Sequence, residues 1–463
     1  MATGGSEHVG APRVRDQLSA EFDHREYGVT TTAQLAGVDA EAELATLGLV
    51  ARSTLLPEDT RADLFDLGGA DDAVFWHGEG VTLAGRGAAA HLDFPRGLRQ
   101  PGMAAAVLHA LRTIPSEGTI DGPATGAIAF SALPFDPRSP ARFTIPSLVV
   151  GRDLAGRQWL TKVGPRAAQQ PSVRLLQKLT AAGPSRRMMP PDAFSLTARR
   201  SHVEWMQLVG AAIAAIHEGR FDKVVIAREI AVTGNRPFVV ADILRRLEAL
   251  FPSCMVFFTD GFLGASPELL VSRRATRVVS HPLAGTVARS GDPAADAILA
   301  GRLLASTKDR EEHRYVVDEV AAALRPLCSS LHVPDVPTIV PLRNVSHLGT
   351  RIEGKLVDTG VSALDLVAAL HPTPAVAGYP TAPALSYLSA VEGFDRSCYA
   401  GPVGWMDSRG DGEWAVAVRS AEVRGNTARL FSGVGVVAAS DPAAELEETQ
   451  LKLQALLAAL VRP

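Results

Sequence analysis

The stretch that decides the fold is 413–437, which reads EWAVAVRSAEV over 413–423, RGN over 424–426 and TARLFSGVGVV over 427–437. Both long segments are rich in the β-branched and aromatic residues that favour strands. A connection of three residues favours antiparallel pairing, because parallel neighbours need a crossover of about a dozen residues or more. We therefore predict an α+β protein rather than a doubly wound parallel sheet.

On both sides of this stretch, helical and strand patterns follow each other along the chain. Helices are predicted over 101–113, 201–218, 240–251, 294–327 (one or two helices), 363–369 and 442–461. Strands are predicted over 73–76, 81–83, 126–131, 143–150, 158–162, 223–232, 256–259, 264–272, 278–280, 345–353 and 399–407. The last helix has Asp441 as its N-cap and Pro442 at its first helical position.

Composition excludes several classes of protein. The 463 residues carry 46 basic and 50 acidic side chains, a formal net charge of −4, so no basic face for a nucleic acid is predicted. No apolar run approaches the ~20 residues that span a bilayer, so we predict no membrane association. Three scattered cysteines fit a reducing cytoplasm better than a disulfide framework. The glycine-bearing segment 1–20 is predicted to be a flexible arm, and the proline-rich segment 183–193 a linker or surface excursion.

Two acidic clusters are candidates for a metal site. On the last helix, Glu445, Glu448 and Lys452 fall on one stripe, where two carboxylates could offer oxygens to Mg²⁺. The alternative is a solvated helix face with an i,i+4 ion pair. The second cluster, 308–313 (KDREEH), contains Glu312 in the first turns of a helix, where acids are also expected from the helix dipole alone.

Two isolated charges could carry acid–base chemistry. Lys223 stands directly before an apolar strand, either as an ordinary charge at a strand end or as a candidate general base. It is one of only six lysines in a chain with forty arginines. Glu268 lies among apolar neighbours, either in a turn or as a buried acid suited to donating a proton.

Glycine-bearing turns at 281–286 (HPLAGT), which include Gly285 and Thr286, and at Gly433 and Gly435 could bind a carboxylate through backbone N–H groups. Plain turns are the alternative. The sequence contains neither a dinucleotide fingerprint nor a Walker loop, a nucleophile elbow or a zinc motif.

Taken together and in order, ten segments resemble the chorismate-utilising enzyme family, which includes isochorismate synthases, salicylate synthases and the large chains of anthranilate and aminodeoxychorismate synthases. These segments are 223–228 (KVVIAR), 266–270 (SPELL), 282–286 (PLAGT), 308–313 (KDREEH), 347–350 (HLGT), 371–375 (HPTPA), 399–405 (YAGPVGW), 419–421 (RSA), 433–436 (GVGV) and 445–452 (ELEETQLK).

The resemblance implies one large domain, 21–463, in which two antiparallel sheets pack as a sandwich with helices outside. Its N-terminal part, 21–190, would vary within the family, and 200–463 would be catalytic. Glu312 and Glu448 would hold Mg²⁺, with Glu445 nearby. The substrate, chorismate, would be bound by eight residues: Gly285, Thr286, His371, Tyr399, Arg419, Gly433, Gly435 and Lys452.

The resemblance also implies a reaction, in which Lys223 activates a water that attacks C2 of the ring while Glu268 protonates the departing C4 hydroxyl. Family members that add ammonia have glutamine at the position of Lys223, so the lysine favours water. We therefore expect a monomeric cytoplasmic isochorismate synthase of menaquinone or siderophore biosynthesis. The alternatives are a salicylate synthase, which goes on to eliminate pyruvate, and a non-catalytic chorismate-binding subunit.

Overall fold

The computed structural model describes residues 33–36, 47–58, 60–166 and 189–461. The predicted arm 1–20 and most of the proline-rich segment 183–193 lie outside the described residues. Within the described part, the helices are α1 (Leu64–Gly68), α2 (Met103–Arg112), α3 (His202–His217), α4 (Val240–Leu250), α5 (Pro293–Ala305), α6 (Thr307–Leu324), α7 (Ala363–Leu370), α8 (Thr381–Val391) and α9 (Pro442–Val461). None of them is both long and apolar enough to span a membrane.

The strands of the same residues are β1 (Ala33–Ala36), β2 (Leu49–Leu55), β3 (Ala73–His77), β4 (Val81–Arg86), β5 (Ala90–Phe94), β6 (Ser116–Gly118), β7 (Ile128–Ala132), β8 (Ala141–Ile145), β9 (Leu148–Asp153), β10 (Gln158–Pro165), β11 (Phe194–Ala198), β12 (Lys223–Gly234), β13 (Met255–Thr259), β14 (Phe262–Ser266), β15 (Leu269–Arg274), β16 (Arg277–His281), β17 (Leu283–Ala288), β18 (Cys328–His332), β19 (Thr338–Pro341), β20 (Val345–Gly349), β21 (Ile352–Leu356), β22 (Gly378–Tyr379), β23 (Pro402–Asp407), β24 (Gly412–Val416), β25 (Ser420–Arg424) and β26 (Thr427–Val437).

Two large sheets and one small sheet contain these strands. The larger sheet has thirteen strands in the order β11-β12-β26-β25-β14-β13-β3-β4-β9-β10-β2-β6, with β22 paired to β12. The second sheet has ten strands in the order β1-β5-β8-β7-β23-β24-β15-β16-β21-β18, and β17, β20 and β19 form a small third sheet. Pairing is antiparallel except between β1 and β5 and between β2 and β6. Strands from both halves of the chain share both large sheets, as one domain requires.

The core between the large sheets is aromatic. Trp76 and Phe257 of the larger sheet pack with Phe130 and Trp405 of the ten-stranded sheet in one buried cluster. A second cluster joins the outer face of the larger sheet to α1, α4 and α9. The predicted sandwich with helices outside is therefore the fold of this chain.

Local signals explain where the helices that carry site residues begin. The Asp441 side chain accepts hydrogen bonds from the N–H groups of Ala443 and Ala444, so it caps α9 as predicted. Ser306 caps α6 by accepting from the N–H of Asp309, and it separates α5 from α6. The predicted helical segment 294–327 is thus two helices.

The prediction of one continuous strand over 413–423 is wrong. Its first part is β24 in the ten-stranded sheet, and its second part is β25, which pairs with β26 in the larger sheet. The chain leaves one sheet for the other at 417–419, where Arg419 has a left-handed backbone with φ of 50°. A left-handed residue ends regular extended structure, and a valine-rich pattern does not reveal it.

The predicted strand 264–272 is wrong for a related reason. It consists of β14 in the larger sheet and β15 in the ten-stranded sheet, interrupted by Pro267 and Glu268. Pro267 has no N–H to donate to a ladder. The same cause divides the predicted strand 143–150 at Pro146 into β8 and β9. The predicted strand 345–353 divides at 350–351, where the chain passes from β20 in the small sheet to β21 in the ten-stranded sheet.

The two sheet crossings lie side by side. Strand β14 pairs with β25, and β15 pairs with β24, so both segments run together through the two layers. The N–H of Val416 donates to the carbonyl of Glu268 at 3.1 Å, and the hydroxyl of Ser266 donates to the carbonyl of Val416 at 2.6 Å. Glu268 and Arg419 are therefore held at one point where the sheets meet.

Candidate active site

A cavity lies at the two crossings and is bounded by β26, α6 and α9. Ten of the thirteen site residues predicted from the sequence line it: Glu268, Gly285, Thr286, Glu312, Tyr399, Arg419, Gly433, Gly435, Glu448 and Lys452. Segments far apart in sequence thus contribute to one pocket.

The other three predicted residues are not part of the lining. Lys223 is 1 % exposed and lies behind the wall, and its Cε is 2.9 Å from where a Cβ on Gly435 would stand. Glu445 is buried beside the pocket on α9. His371 is also buried, and its Nε2 donates to the carbonyl of Phe135 at 2.9 Å.

This hydrogen bond gives His371 a structural partner away from the substrate cavity. Burial lowers the pKa of His371 to about 4, so the ring is neutral near pH 7. A substrate-binding role for His371 stays a prediction, and the cavity geometry lends it no support.

Two glycines on β26 create room at the cavity wall. Alternate residues of a strand face the same side, so Gly433 and Gly435 both face the pocket. A Cβ on Gly435 would come within 2.1 Å of Oε1 of Glu312, and one on Gly433 within 2.8 Å of the hydroxyl of Tyr399. The glycines at these positions therefore allow two functional side chains to approach the strand backbone.

Glu268 is a buried acid whose pKa is raised towards neutrality. Burial raises the pKa of Glu268 to about 7, against the opposing effects of the Leu283 N–H and of Lys223 and Arg419. A carboxyl with a pKa near the working pH can both hold and release a proton, which is what a general acid needs.

Arg419 and His347 form a chain of directed hydrogen bonds in the cavity wall. Nη2 of Arg419 donates to Nε2 of His347 at 2.6 Å, and Nδ1 of His347 lies 3.1 Å from the carbonyl of Gly285. Burial, and then the charge of Arg419, lower the pKa of His347 well below its usual value. The imidazole is neutral, accepts at Nε2 and donates at Nδ1, so it orients the guanidinium.

No role for His347 is predicted from the sequence, although it lies in the segment 347–350 (HLGT), one of the ten that resemble the family. Its chemistry depends on the neighbours Gly285 and Arg419, which are more than sixty residues away along the chain. Only the fold reveals the arrangement.

Two residues of the cavity wall carry polar atoms that have no hydrogen-bond partner within the described residues. Nε of Arg419 and the hydroxyl of Ser432 are buried and have no hydrogen-bond partner within the described residues. Both residues line the pocket. A buried donor costs free energy when it has no partner, so these atoms indicate a polar ligand such as a carboxylate.

The acids of the predicted metal site are paired with lysines. Three pairs are formed, with N–O distances of 3.0, 2.7 and 2.9 Å: Lys223 with Glu312, Lys452 with Glu448, and Lys308 with Glu445. Within the described part of the chain, no group of three or more His, Cys, Asp or Glu side chains is assembled for a metal ion. Glu312 and Glu448 nevertheless line the same cavity.

Comparison with known proteins agrees with this geometry. The profile of the family described as chorismate binding enzyme matches residues 61–461. This chain belongs to the chorismate binding enzyme family. The match covers most of the described residues, including both sheet crossings and every residue of the cavity wall.

Individual chorismate binding enzymes align over large parts of the chain. Isochorismate synthase DhbC of Bacillus subtilis is 44 % identical over 263 residues, which are 54 % of this chain and 66 % of that protein. Isochorismate synthase EntC of Escherichia coli is 37 % identical over 335 residues, 71 % of this chain and 80 % of that protein. The crystal structure of DhbC from Bacillus anthracis superimposes with a TM-score of 0.71 at 33 % identity, over 86 % of this chain and 98 % of that one. These matches confirm the predicted family and fold.

Proposed function

We propose that this protein is an isochorismate synthase, which converts chorismate to isochorismate in a Mg²⁺-dependent reaction. The observation that carries the proposal is the placement of a buried amine and a buried acid at one cavity: Glu268 lines it, and Lys223 lies directly behind Gly435 of its wall. The similarity to DhbC and EntC, both named isochorismate synthases, supports the same activity.

In the proposed mechanism, the reaction exchanges one hydroxyl for another. The Lys223 amine accepts a proton from a water whose oxygen bonds to C2 of the ring. The ring double bonds shift, the C4–O bond breaks, and Glu268 donates its proton to the departing hydroxyl, which leaves as water. The net change is an isomerisation, since one water enters and one leaves.

Two carboxylates of the substrate would be bound by the cationic and hydroxyl groups of the cavity wall. Nε of Arg419 is a buried donor that has no partner among the described residues, and His347 fixes the orientation of its guanidinium. Lys452 and the hydroxyl of Tyr399 would complete the contacts, since both reach the wall around Gly433. Charge-assisted hydrogen bonds of this kind are roughly twice as strong as those between neutral groups.

The residues present fit a magnesium ion. Mg²⁺ is commonly held by one or two protein carboxylates together with groups of the substrate, so Glu312 and Glu448 suffice without a third protein ligand. Burial, and then the neighbouring Glu448, raise the pKa of Glu445 despite Lys308, as expected where carboxylates are crowded. The ion would offset the negative charge of the substrate and fix its orientation.

The test is to incubate the purified protein with chorismate and Mg²⁺ and to resolve the products by chromatography. Isochorismate is the expected product. Salicylate with pyruvate would indicate a salicylate synthase, and unchanged chorismate would indicate a binding subunit. Glu268→Gln is the matched control, since it keeps the shape of the pocket and removes the proton. The cytoplasmic location, the monomeric state, and the choice between menaquinone and siderophore biosynthesis stay predictions.

A further inference from the structure

Lys308 is the lysine of the acidic cluster that the proposed mechanism does not use. Its Nζ lies 2.9 Å from Oε1 of Glu445, and its side chain is partly exposed. The carboxylates of Glu445, Glu312 and Asp309 all attract its charge. Lys308, on the first turn of α6, therefore supplies a positive charge within the acidic cluster.

Glu445 needs this cation because it is buried. Its side chain is 4 % exposed, and within the described residues its ion pair is with Lys308. A buried carboxylate without a counter-charge is strongly unfavourable, and removing one partner of a buried pair is correspondingly costly. Glu448 lies one helical turn further along α9 and lines the cavity, so a divalent ion held there would lie near the pair of Lys308 with Glu445.

We infer that the ammonium group of Lys308 competes with the divalent cation for the negative charge of the acidic cluster. It neutralises Glu445 while the site holds no ion, and it sets how tightly the ion binds. This inference rests on the proposed function, because it takes the ion to be held at Glu312 and Glu448. Two cations that are attracted by the same carboxylates repel each other, so the presence of Lys308 weakens the binding of the second cation.

The consequence is unusual for a residue next to a metal site, because neutralising it strengthens metal binding. A merely structural role predicts the opposite, since loss of the pair would disturb α6 and α9 and weaken the site. The two accounts therefore differ in the sign of the change in affinity.

The experiment titrates the full chain with Mg²⁺ alone by calorimetry, and with Mn²⁺ by electron paramagnetic resonance, without chorismate. Lys308→Gln and Lys308→Met should each lower the dissociation constant by about tenfold. Lys308→Arg keeps the charge and should bind as the wild type does. Lys355→Gln removes an exposed lysine on β21 and controls for net charge.

Unchanged or weaker binding in both neutral variants would overturn the inference. Adding Glu445→Gln to Lys308→Gln should abolish the gain, and a gain that persists would contradict the role of Glu445. Glu448→Gln separates this inference from the proposed function. If it binds metal as the wild type does, the proposed site fails and the inference with it. If it weakens binding while the Lys308 variants bind no more tightly, only the inference fails.

Discussion

Replacing Glu268 by glutamine is expected to inactivate the enzyme and to stabilise its fold at alkaline pH. The side chain is 5 % exposed, and burial raises its pKa from 4.5 to about 7. Ionised Glu268 is therefore unfavourable in the folded protein. Glutamine has nearly the same shape and does not ionise, so it removes this penalty together with the proton that the reaction needs.

The size of the effect follows from proton linkage. Between pH 4.5 and about 7 the native state keeps a proton that the unfolded chain has lost, so the free energy of unfolding falls as pH rises. When Glu268 is ionised in both states, the free energy of unfolding is lower by about 3 kcal/mol than at low pH. About 2 kcal/mol of this loss occurs between about pH 5.5 and 8.5. Above about pH 8 the loss is nearly complete.

The assay is urea unfolding of the wild type and Glu268→Gln at a series of pH values, followed by tryptophan fluorescence. The variant should gain about 2 kcal/mol over the wild type between about pH 5.5 and 8.5. Glu447→Gln, at an exposed position of α9, is the control and should show a constant difference. A constant difference for Glu268→Gln as well would refute the raised pKa, and with it the proposed proton donor.

Three further predictions concern the cavity. Lys223→Ala should lower turnover by about 10²- to 10⁴-fold and leave chorismate binding measurable by calorimetry, whereas retained turnover would rule out the general base. Glu448→Gln should raise the Mg²⁺ concentration needed for half-maximal activity at least about tenfold, and an unchanged titration would mean that another acid holds the ion. Gly435→Ala would place its Cβ 2.1 Å from Glu312 and should cost about a hundredfold in turnover at an unchanged melting temperature. Gly210→Ala, with open space around it, is the control, and equal activity of the two glycine variants would contradict the close approach.

Much of the fold could be predicted because its signals are local. The capping residue Asp441 marks the start of α9, and the turn 424–426 joins β25 to β26 as the sequence indicates. The sheet crossings could not be predicted in the same way. The backbone of Arg419 is left-handed because two sheets meet there, and nothing in the neighbouring valines and alanines signals it.

The residues of the candidate site also fall into those that sequence motifs predict and those that only the tertiary structure reveals. Thirteen site residues could be named from family motifs, and ten of them, including three acids and three glycines, line the cavity together. The partners of those residues depend on tertiary distances, so the neutral His347 that orients Arg419 was missed. The pairing of Lys308 with Glu445 joins α6 to α9 across 137 positions of the chain, and no spacing rule covers it.

The paired crossings restrict how a ligand can reach the cavity. The same two segments belong to both sheets, and backbone bonds such as that from Val416 to Glu268 tie them to each other. Separating the two sheets would break these hydrogen bonds in both segments at the same time. The sheets therefore do not move apart as rigid bodies. A ligand therefore has to reach the cavity without separation of the two sheets, and Glu268 and Arg419 keep their relative positions because hydrogen bonds join the segments that carry them.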